Sequence, residues 1–574
     1  MIDVLFITPT TSPNVLKESV GTMILATILR EQGIGVEILP FGRFGNLCCF
    51  EELVAQGTAM ILEKKPRILS FYTRCDCYHT MLEMARRVKE QWDCKVVLGG
   101  PQSDITAEET LEEIPYVDYV CRGEGESTVY PFFSSLLAGQ PDHSVRGLVY
   151  RQGDKVCANP KPELIADLDS LPVPDYSGFH EGGEIDPKIC FSIDAGRGCP
   201  FGCTYCSTKT FWGRKYRLKS PKRLVQELKY FHDQFGVTYF SFQHDMFTMN
   251  REQVIETCRL IRELDFKVKW NCSARSDCID EELVRIMAES GLNWLYLGIE
   301  TGSPRMQKLV NKNLKLDKVL PQLEYIGKYN VRVLTSFIYG FPQETEEDHS
   351  QTLSLMIEML KMKHVQVQAH LCAFLPGTAL GEEYRDRLTP SKHISDQAGA
   401  IGLEESADFI AAHPRLFMQT LDFHTELRDR LQHFILFLSA MDAQRHIYLH
   451  LSKQYAKETM IQMYFDFVEA YSEILNDESA TEIEKLRRIL ANGALAEKYV
   501  QSPCRELICD FYRMERLKAA VARGQSKGAT DIFCFSPLTL QESRSLEDCP
   551  LGWSMVSFSR NPDGSVQTTV RSMG

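Results

Sequence analysis

The feature that most constrains the fold is an alternation of short apolar segments with amphipathic helices, which continues to about residue 375. Such alternation predicts parallel sheets with helices packed on their faces, so the fold class is α/β. In residues 1–150 it predicts a doubly wound, flavodoxin-like parallel sheet. We expect its strands at 4–7, 36–39, 68–71, 96–98 and 117–120, and helices at 19–30 and 78–91.

Composition excludes several classes of protein. The 574 residues are 44% hydrophobic and 25% charged, which is typical of a soluble multidomain protein rather than a fibre or a disordered chain. The net charge of −13 argues against a broad nucleic-acid surface. There is no basic leader and no apolar stretch long enough for a bilayer, so we expect a cytoplasmic protein without membrane association. Most of the 19 cysteines should then be free thiols.

Three of these cysteines stand close together on one predicted loop. Cys199, Cys203 and Cys206 form a C-x-x-x-C-x-x-C pattern directly after an apolar strand, and no fourth cysteine follows at similar spacing. Three thiolates around a metal centre leave one coordination position open, which is typical of a catalytic centre. The alternatives are a zinc site completed by a distant residue, or three core thiols grouped by coincidence.

This loop resembles the cluster loop of the radical S-adenosylmethionine (SAM) superfamily. The resemblance implies that the three cysteines hold a [4Fe-4S] cluster whose open iron chelates SAM. Reduction of the cluster would then cleave SAM to a 5′-deoxyadenosyl radical. Tyr205 matches the aromatic residue that flanks the adenine in that family, although its ring can also pack under the loop.

Strand–helix units continue after the cysteines, with strands expected at 239–243, 267–273, 294–299, 331–339 and 364–372. Together with the strand before Cys199 they predict a partial (β/α)6 barrel over residues 189–380, with its chemistry at the carboxyl ends of the strands. The resemblance implies that SAM is contacted there by Tyr205, Gln243, Ser273, Arg275, Glu300 and Gly340. Each can instead be a polar rim residue satisfied by the protein. His244 beside Asp245 suggests an acid–base pair, but adjacent strand residues point to opposite faces.

The strand ends of the first sheet carry small and polar residues, which predict a ligand at that edge. The segments LGGPQ and VDYVCRGEGE resemble the cobalamin-binding domain found upstream of many radical SAM enzymes. The resemblance implies cobalamin contacts at Thr8, Ser70, Tyr72, Gly99, Gly100, Pro101, Gln102, Gly123 and Glu124. The first histidine is His79, so the Asp-x-His-x-x-Gly loop that ligates cobalt in some of these domains is missing. Cobalamin is then bound without a protein histidine, or the sheet binds nothing.

The rest of the chain is less informative. Residues 151–188 read as a turn-rich linker, and the basic loop 209–217 as either an anion contact or a solvated edge. Residues 381–574 predict a mainly helical domain that ends in a small β hairpin and shapes the substrate site. Cys504, Cys509, Cys534 and Cys549 fit no ferredoxin spacing.

These features predict an enzyme that methylates an unactivated carbon of a peptide or natural-product substrate, using a [4Fe-4S] cluster, SAM and cobalamin. Its expected partners are that substrate and an electron donor such as flavodoxin or ferredoxin, with no nucleic acid. The alternatives are a radical SAM enzyme that cyclises, epimerises or rearranges its substrate with an empty or structural first domain, and a metal-stabilised binding module.

Overall fold

The structure is a computed structural model of the chain. It describes residues 2–8, 20–40, 50–176, 187–391, 394–395, 403–443 and 445–490, and the backbone of four strands beyond residue 531. The chain divides into two compact units. The first comprises Met1–Glu300, Pro304–Pro342 and His370–Thr425, and the second Thr301–Ser303, Gln343–Ala369 and Glu426–Gly574. In the described residues, no helix has both the length and the apolarity needed to cross a bilayer.

A seven-stranded sheet occupies the N-terminal part of the first unit, in the order β2-β1-β3-β4-β5-β6-β7. Its strands are β1 (Ile2–Thr8), β2 (Val36–Pro40), β3 (Pro66–Tyr72), β4 (Lys95–Gly99), β5 (Tyr119–Cys121), β6 (Leu148–Gln152) and β7 (Lys155–Ala158). The first five are parallel, and β6 and β7 add antiparallel. The helices are α1 (Val20–Glu31), α2 (Phe50–Lys64), α3 (Tyr78–Lys89), α4 (Pro101–Ile105), α5 (Ala107–Glu113) and α6 (Val129–Leu137).

This sheet confirms the predicted doubly wound fold and extends it. Val4 to Ile7 are all buried, as expected for a parallel strand covered on both faces. The sheet continues through β7, past the boundary expected at residue 150 and into the expected linker. Helix α2 is absent from the predicted elements, because Gly57 and Thr58 weaken its helical pattern. It forms because Phe50, Leu53 and Ile61 pack into the core of the domain.

The second sheet has six strands in the order β15-β14-β13-β12-β11-β8. They are β8 (Cys190–Asp194), β11 (Tyr239–Gln243), β12 (Lys269–Ala274), β13 (Leu292–Glu300), β14 (Arg332–Tyr339) and β15 (Val365–Leu371). A ribbon of β9 (Gly196–Arg197) and β10 (Arg217–Leu218) lies between β8 and β11 in the chain. The intervening helices are α7 (Thr208–Trp212), α8 (Pro221–Phe235), α9 (Arg251–Arg262), α10 (Glu281–Glu289), α11 (Pro304–Leu309), α12 (Val319–Lys328) and α13 (Glu346–Leu360). The partial barrel is therefore confirmed, with strand ends within two residues of those predicted.

Side chains alternate between the two faces of this sheet. Phe191, Phe240 and Trp270 are fully buried on one face, where the Phe191 ring packs against Phe231 of α8 and the Trp270 ring stacks on Phe242 of β11. The opposite face carries polar residues such as Ser241 and Asn271, whose side chains hydrogen-bond each other at 2.7 Å. The polar face is the inside of the barrel, and this alternation makes it available to a polar ligand.

The segment after the barrel returns to the N-terminal domain. It contains α14 (Ala379–Tyr384), β16 (Thr389–Pro390), α15 (Ala407–Ala412) and β17 (Leu421–Asp422). Leu416 and Phe417 are fully buried in the core of the seven-stranded domain. The domain boundary expected at residue 380 therefore separates residues that pack within one unit.

The second unit is largely helical where the structure describes it. Besides α13 it contains α16 (Glu426–Arg430), α17 (Phe434–Ala443), α18 (Arg445–Leu451), α19 (Ile461–Ala470), α20 (Ser472–Leu475) and α21 (Glu482–Leu490). Phe437 contacts the rings of Tyr448, Tyr464 and Phe467, and these aromatic residues form its core. The backbone of β18 (Ile532–Phe535), β19 (Leu540–Glu542), β20 (Ser554–Arg560) and β21 (Val566–Ser572) forms an antiparallel sheet that includes the expected hairpin. Cys504, Cys509, Cys549 and the side chain of Cys534 lie outside the described residues.

Candidate functional site

The loop that carries the three cysteines begins where β9 ends. Gly198 has a φ of +86°, and a Cβ there would lie 1.9 Å from the carbonyl oxygen of Lys215. A Cβ on Gly196 would lie 2.4 Å from the carbonyl oxygen of Arg217. Only glycine permits this close approach of the β9–β10 ribbon, which fixes the course of the chain into Cys199.

The three cysteines are partly exposed free thiols on this one loop. Burial raises the pKa of the Cys199 thiol to about 11, with smaller contributions from negative charge on Asp245, Cys206 and Cys203. The three thiols therefore lie close enough to interact. Soft donors that are close together, unpaired and accessible fit a [4Fe-4S] cluster held by three cysteines. Across the described residues, no three His, Cys, Asp or Glu side chains are grouped as ligands of a single metal ion.

Neighbouring elements hold the loop from two sides. The Thr204 N–H donates to the Val310 carbonyl at 3.0 Å, and the Thr204 carbonyl accepts from Leu380 N–H at 2.9 Å. The Asn311 amide donates to the Gly202 carbonyl at 2.9 Å. The ring of Tyr205 packs 6.0 Å from that of Phe341, in a small apolar cluster. The Tyr205 ring therefore attaches the cysteine loop to this apolar cluster. Its contact with adenine stays a prediction.

Arg275 follows β12 and faces the cysteine loop. Its guanidinium lies 3.9 Å from the centre of the Phe201 ring, between the first two cysteines. It donates to both carboxylate oxygens of Asp277 at 2.9 Å and to the Lys312 carbonyl at 2.8 Å. Its Nη1 is buried and has no hydrogen-bond partner among the described residues. Arg275 thus couples the cluster loop to the barrel rim and keeps one donor for a ligand.

Glu300 is buried at the end of β13 and adopts a left-handed conformation with φ +68°. Its Oε1 accepts a hydrogen bond from Lys312 Nζ at 2.8 Å. Burial disfavours the charge on Lys312, but the Glu300 carboxylate outweighs this and raises the lysine pKa. The sequence analysis missed Lys312. The available sequence signal was the pair of asparagines on either side of it, because asparagine is enriched in the left-handed conformation that marks a tight turn. Asn311 and Asn313 both adopt this conformation.

The inner face of the barrel brings further predicted residues together. Gln243 Nε2 donates to Ser241 Oγ at 2.9 Å and to Ser192 Oγ at 3.3 Å. Ser273 is half-buried, and its hydroxyl makes no hydrogen bond within the described part of the chain. Gly340 ends β14 with φ +74°. The barrel rim therefore carries the Gln243 amide, which two serine hydroxyls hold in place, and the Ser273 hydroxyl, which can bind a ligand.

His244 is not paired with Asp245. The His244 Nδ1 accepts the Met246 N–H at 2.6 Å, and its ring packs edge-on against Tyr216. Burial lowers the pKa of His244 to about 4, so the ring is neutral. The Asp245 side chain is exposed. Both residues lie beyond the end of β11, so they are separated without the strand alternation on which the expectation rested.

The carboxyl edge of the N-terminal sheet forms the other part of the site. In the strand order β2-β1-β3, the chain first adds a strand on one side of β1 and then a strand on the other side. Ligands of doubly wound sheets bind at such a reversal, which here lies at the carboxyl ends of β1 and β3. Thr8 and Tyr72 end these strands, and the Thr8 Oγ1 is buried with no partner among the described residues. Ser70 is buried within β3.

Glycine allows close backbone approach at the same edge. A Cβ on Gly100 would lie 2.8 Å from the Thr73 backbone, beside Gly99 and Pro101. Gly123 has φ +77°, and its N–H donates to Asp104 Oδ1 at 2.5 Å. These contacts fix the two loops without placing a bulky side chain over the strand ends.

Two residues predicted at this edge have protein partners. Gln102 is buried, and its Nε2 donates to the Leu416 carbonyl at 2.8 Å and to Gln419 Oε1 at 3.3 Å. Glu124 accepts from Arg197 and Arg217, and from the Ile165 N–H at 2.7 Å. The structure therefore gives both side chains contacts inside the protein, and cofactor contact stays a prediction for them. The loop 9–19 lies outside the described residues.

Comparisons with known proteins agree with this geometry. Residues 193–356 match the family model of the radical SAM superfamily, and residues 14–131 match that of the B12 binding domain. An uncharacterized methyltransferase of Pyrococcus horikoshii is 30% identical over 337 residues, which cover 58% of this chain and 72% of that protein. The chain belongs to the radical SAM superfamily, in the group with an N-terminal B12-binding domain.

Other radical SAM proteins share the architecture. The structure of the cobalamin-dependent SAM radical enzyme OxsB, with aqua-cobalamin and SAM bound, aligns with a TM-score of 0.59. The alignment covers 92% of this chain and 82% of that one at 13% identity, and it shows a common fold. The anaerobic magnesium-protoporphyrin IX monomethyl ester cyclase of Cereibacter sphaeroides is 29% identical over 266 residues, covering 45% of this chain and 43% of the cyclase. The cofactors of this radical SAM protein are accordingly a [4Fe-4S] cluster, SAM and cobalamin.

Proposed function

We propose that this radical SAM protein is a cobalamin-dependent methyltransferase that methylates an unactivated carbon of a peptide or natural-product substrate. The observation that carries the proposal is that the cysteine loop and the B12-binding sheet lie in one compact unit, joined by direct side-chain contacts. The uncharacterized methyltransferase of Pyrococcus horikoshii, which aligns with 58% of this chain, supports methyl transfer as the reaction class.

The barrel residues have separate roles in this proposal. Cys199, Cys203 and Cys206 hold the cluster, which when bound supplies the electron that cleaves SAM to a 5′-deoxyadenosyl radical. Arg275 Nη1 and the Ser273 hydroxyl bind the polar groups of SAM, because both are donors without a partner among the described residues. The other proposed SAM contacts are Gln243, Glu300, Gly340 and Tyr205.

The sheet edge binds the second cofactor in this proposal. Thr8, Ser70, Tyr72, Gly99, Gly100, Pro101 and Gly123 line the crevice, and bound cobalamin supplies the methyl group. His79 is fully buried on α3, where it contacts Thr80 Oγ1 at 3.2 Å and stacks 5.9 Å from Phe50. These contacts keep it in the protein core, which supports binding of cobalamin without a histidine ligand to cobalt.

The first experiment is a metal analysis. The protein is reconstituted anaerobically with iron, sulfide and hydroxocobalamin, then desalted. We expect about four irons and about one cobalt per chain. Cys203→Ala should lose most of the iron, whereas Cys157→Ala, a partly exposed cysteine on β7, should keep it. Iron without cobalt in the wild type would contradict the methyltransferase, and equal iron in both variants would contradict the cluster site.

A second candidate function follows from the cyclase of Cereibacter sphaeroides, a relative whose name describes ring closure. In that case the chain performs a radical cyclisation or rearrangement without methyl transfer. The two functions differ in how they consume SAM. A methyltransferase incubated with SAM and dithionite should form S-adenosylhomocysteine as it methylates its cobalamin. 5′-Deoxyadenosine without S-adenosylhomocysteine would favour the cyclase-like reaction.

The partners and location complete the proposal. An electron donor such as flavodoxin or ferredoxin reduces the cluster, and the second unit contributes to recognition of the small-molecule or peptide substrate. Every cysteine that the structure describes is a free thiol, which is typical of a reducing compartment. We therefore propose a cytoplasmic enzyme.

A further inference from the structure

A buried ionic network joins the cysteine loop to the B12-binding sheet. Arg197, two residues before Cys199, donates from Nη2 to Glu126 Oε1 at 2.6 Å and from Nη1 to Glu124 Oε1 at 3.1 Å. The same guanidinium contacts Asp194, at the end of β8, at 3.0 Å. The Arg197 side chain is 10% exposed, and Glu124 and Glu126 are 5% and 7% exposed.

A second arginine completes the network. Arg217 is the direct partner of Arg197 in the β9–β10 ribbon. It donates to both carboxylate oxygens of Glu124, at 2.7 Å and 3.0 Å, and to the Ile165 carbonyl at 2.5 Å. Glu124 therefore contacts both arginines of the ribbon. Although burial favours its neutral form, the hydrogen bond from Arg217 and the charge of Arg197 lower its pKa, so Glu124 is ionised.

The network has an informative position in the chain. Glu124 and Glu126 follow β5 and belong to the edge of the sheet proposed to bind cobalamin, beside Gly123. Arg197 enters the cysteine loop directly. Movement of one cofactor loop relative to the other must therefore break charged hydrogen bonds in a buried environment.

We propose that Glu124, Glu126, Arg197 and Arg217 form a clamp that sets the separation between the iron–sulfur cluster and the cobalt. The clamp rests on the proposed function, since it acts on both cofactors. Its members are positioning residues, because each makes a charged hydrogen bond to at least one other member of the clamp. This gives Glu124 a different role from the cofactor contact expected from sequence.

Physical arguments favour positioning over simple stabilisation. A buried ion network gains little net stability, because desolvation of the charges offsets their attraction. Such a network instead fixes the relative orientation of the segments that it joins, because a guanidinium donates its hydrogen bonds to a carboxylate along fixed axes. The carboxylates of Glu124, Glu126 and Asp194 face only two guanidinium groups. The negative charges in the network therefore outnumber the positive ones, which stabilisation alone would not favour.

The chain offers a matched control. Lys219 Nζ donates to both oxygens of Glu227 at 2.8 Å and 2.9 Å, and Arg223 contacts the same carboxylate at 2.8 Å. This network is as deeply buried as the clamp and also lies beside β10, and the Glu227 carboxylate contacts only barrel residues, although Arg223 Nη2 donates separately to the Leu171 carbonyl at 2.7 Å. Glu227→Gln therefore perturbs a buried ion network without touching the connection between the domains.

The test uses the full chain loaded with the cluster and hydroxocobalamin. The cluster is reduced and the cobalamin is brought to cob(II)alamin, and pulsed dipolar EPR measures the distance between the two paramagnetic centres. The double variant Glu124→Gln/Glu126→Gln should lose the narrow wild-type distance and give a broader, longer distribution, with iron and cobalt contents unchanged. Glu227→Gln should keep the wild-type distance. A wild-type distance in the double variant would overturn the clamp.

Two further measurements keep the proposal falsifiable. If the double variant fails to fold, Glu126→Gln is measured in its place. This single variant leaves Arg197 its contacts with Glu124 and Asp194, so its distance distribution should be broader than that of the wild type but narrower than expected for the double variant. A wild type without cobalt defeats the proposed function, not the clamp. Hydrogen exchange then tests the clamp: the double variant should exchange faster in both 122–127 and 195–199, and unchanged exchange in either segment would overturn it.

Discussion

Lys312 Nζ donates a hydrogen bond to Glu300 Oε1 at 2.8 Å at the barrel rim, and both side chains are largely buried. Gly298, two residues earlier in the same strand β13, makes room for this pair. A Cβ on Gly298 would lie 2.3 Å from Glu300 Oε1 and 3.1 Å from Lys312 Nζ. The pair therefore fixes the Glu300 carboxylate at the rim while neutralising its charge.

Lys312→Met should be strongly destabilising, because it leaves the Glu300 carboxylate buried without its cation. Removing one partner of a buried ion pair costs roughly 3–5 kcal/mol. Denaturant unfolding of the metal-free protein measures this loss. The double variant Glu300→Gln/Lys312→Met removes both charges and should recover much of the loss, because no uncompensated charge remains. Equal losses in single and double variants would show that the pair is not coupled.

Gly198→Ala should disrupt the entry to the cysteine loop. The new Cβ would lie 1.9 Å from the Lys215 carbonyl oxygen, and the residue would also carry an unfavourable φ of +86°. Since backbone atoms on both sides must shift, we expect most of the iron to be lost after reconstitution, measured against the wild type.

Gly213→Ala is the control for this substitution. Gly213 also has a positive φ, of +58°, but a Cβ there meets no atom within 4 Å. With a ψ of −128°, alanine there should cost about 1–3 kcal/mol for the backbone conformation alone and keep the iron. If both variants lose iron to the same extent, the close contact at Gly198 is not the cause.

His244 predicts a specific dependence of stability on pH. Burial lowers its pKa from 6.5 to about 4, so the unfolded chain binds a proton there that the folded chain does not. Its contribution to stability is complete above pH 6.5 and is lost as the pH falls towards 4. Between pH 7 and pH 5 this loss is about 2 kcal/mol.

The measurement compares His244→Asn with the wild type by denaturant unfolding at both pH values. Asparagine offers an oxygen to the Met246 N–H in place of Nδ1 but does not titrate. The wild type should lose about 2 kcal/mol more than the variant on going to pH 5. A parallel loss in both proteins would place the pH dependence elsewhere.

The sequence predicts some features of the site better than others, for physical reasons. The strands of both sheets and the cysteine loop follow from periodicity and from spacing, which are local properties. The rule that ligands bind at the carboxyl ends of strands predicts which edge of each sheet holds the cofactors. It does not identify which side chains face the ligand, because Gln102 and Glu124 are engaged by residues distant in sequence. Lys312 is missed for the same reason, since only the folded loop brings it to Glu300.

Gln102 provides the last prediction. Its buried side chain donates to the Leu416 carbonyl and to Gln419, and Gln419 in turn donates to the Cys75 carbonyl at 3.3 Å. Gln102→Leu keeps the bulk of the side chain but removes the donor, and an unpaired buried carbonyl costs about 1–3 kcal/mol. We expect faster hydrogen exchange in 413–420 with unchanged iron content, since the cysteine loop makes no hydrogen bond to Gln102 in the described structure.

The control is Gln91→Leu, two residues after the end of α3, where the exposed Gln91 Nε2 donates to the Arg87 carbonyl at 3.1 Å. Water replaces that donor, so the stability should change by less than about 0.5 kcal/mol and exchange in 413–420 should not change. If Gln102→Leu also leaves this exchange unaltered, the buried apolar contacts of Leu416 and Phe417 hold the segment without the amide. Gln102 would then be available to the cofactor, as its position after Gly100 and Pro101 predicts, and a lower cobalt content in Gln102→Leu would reveal that role.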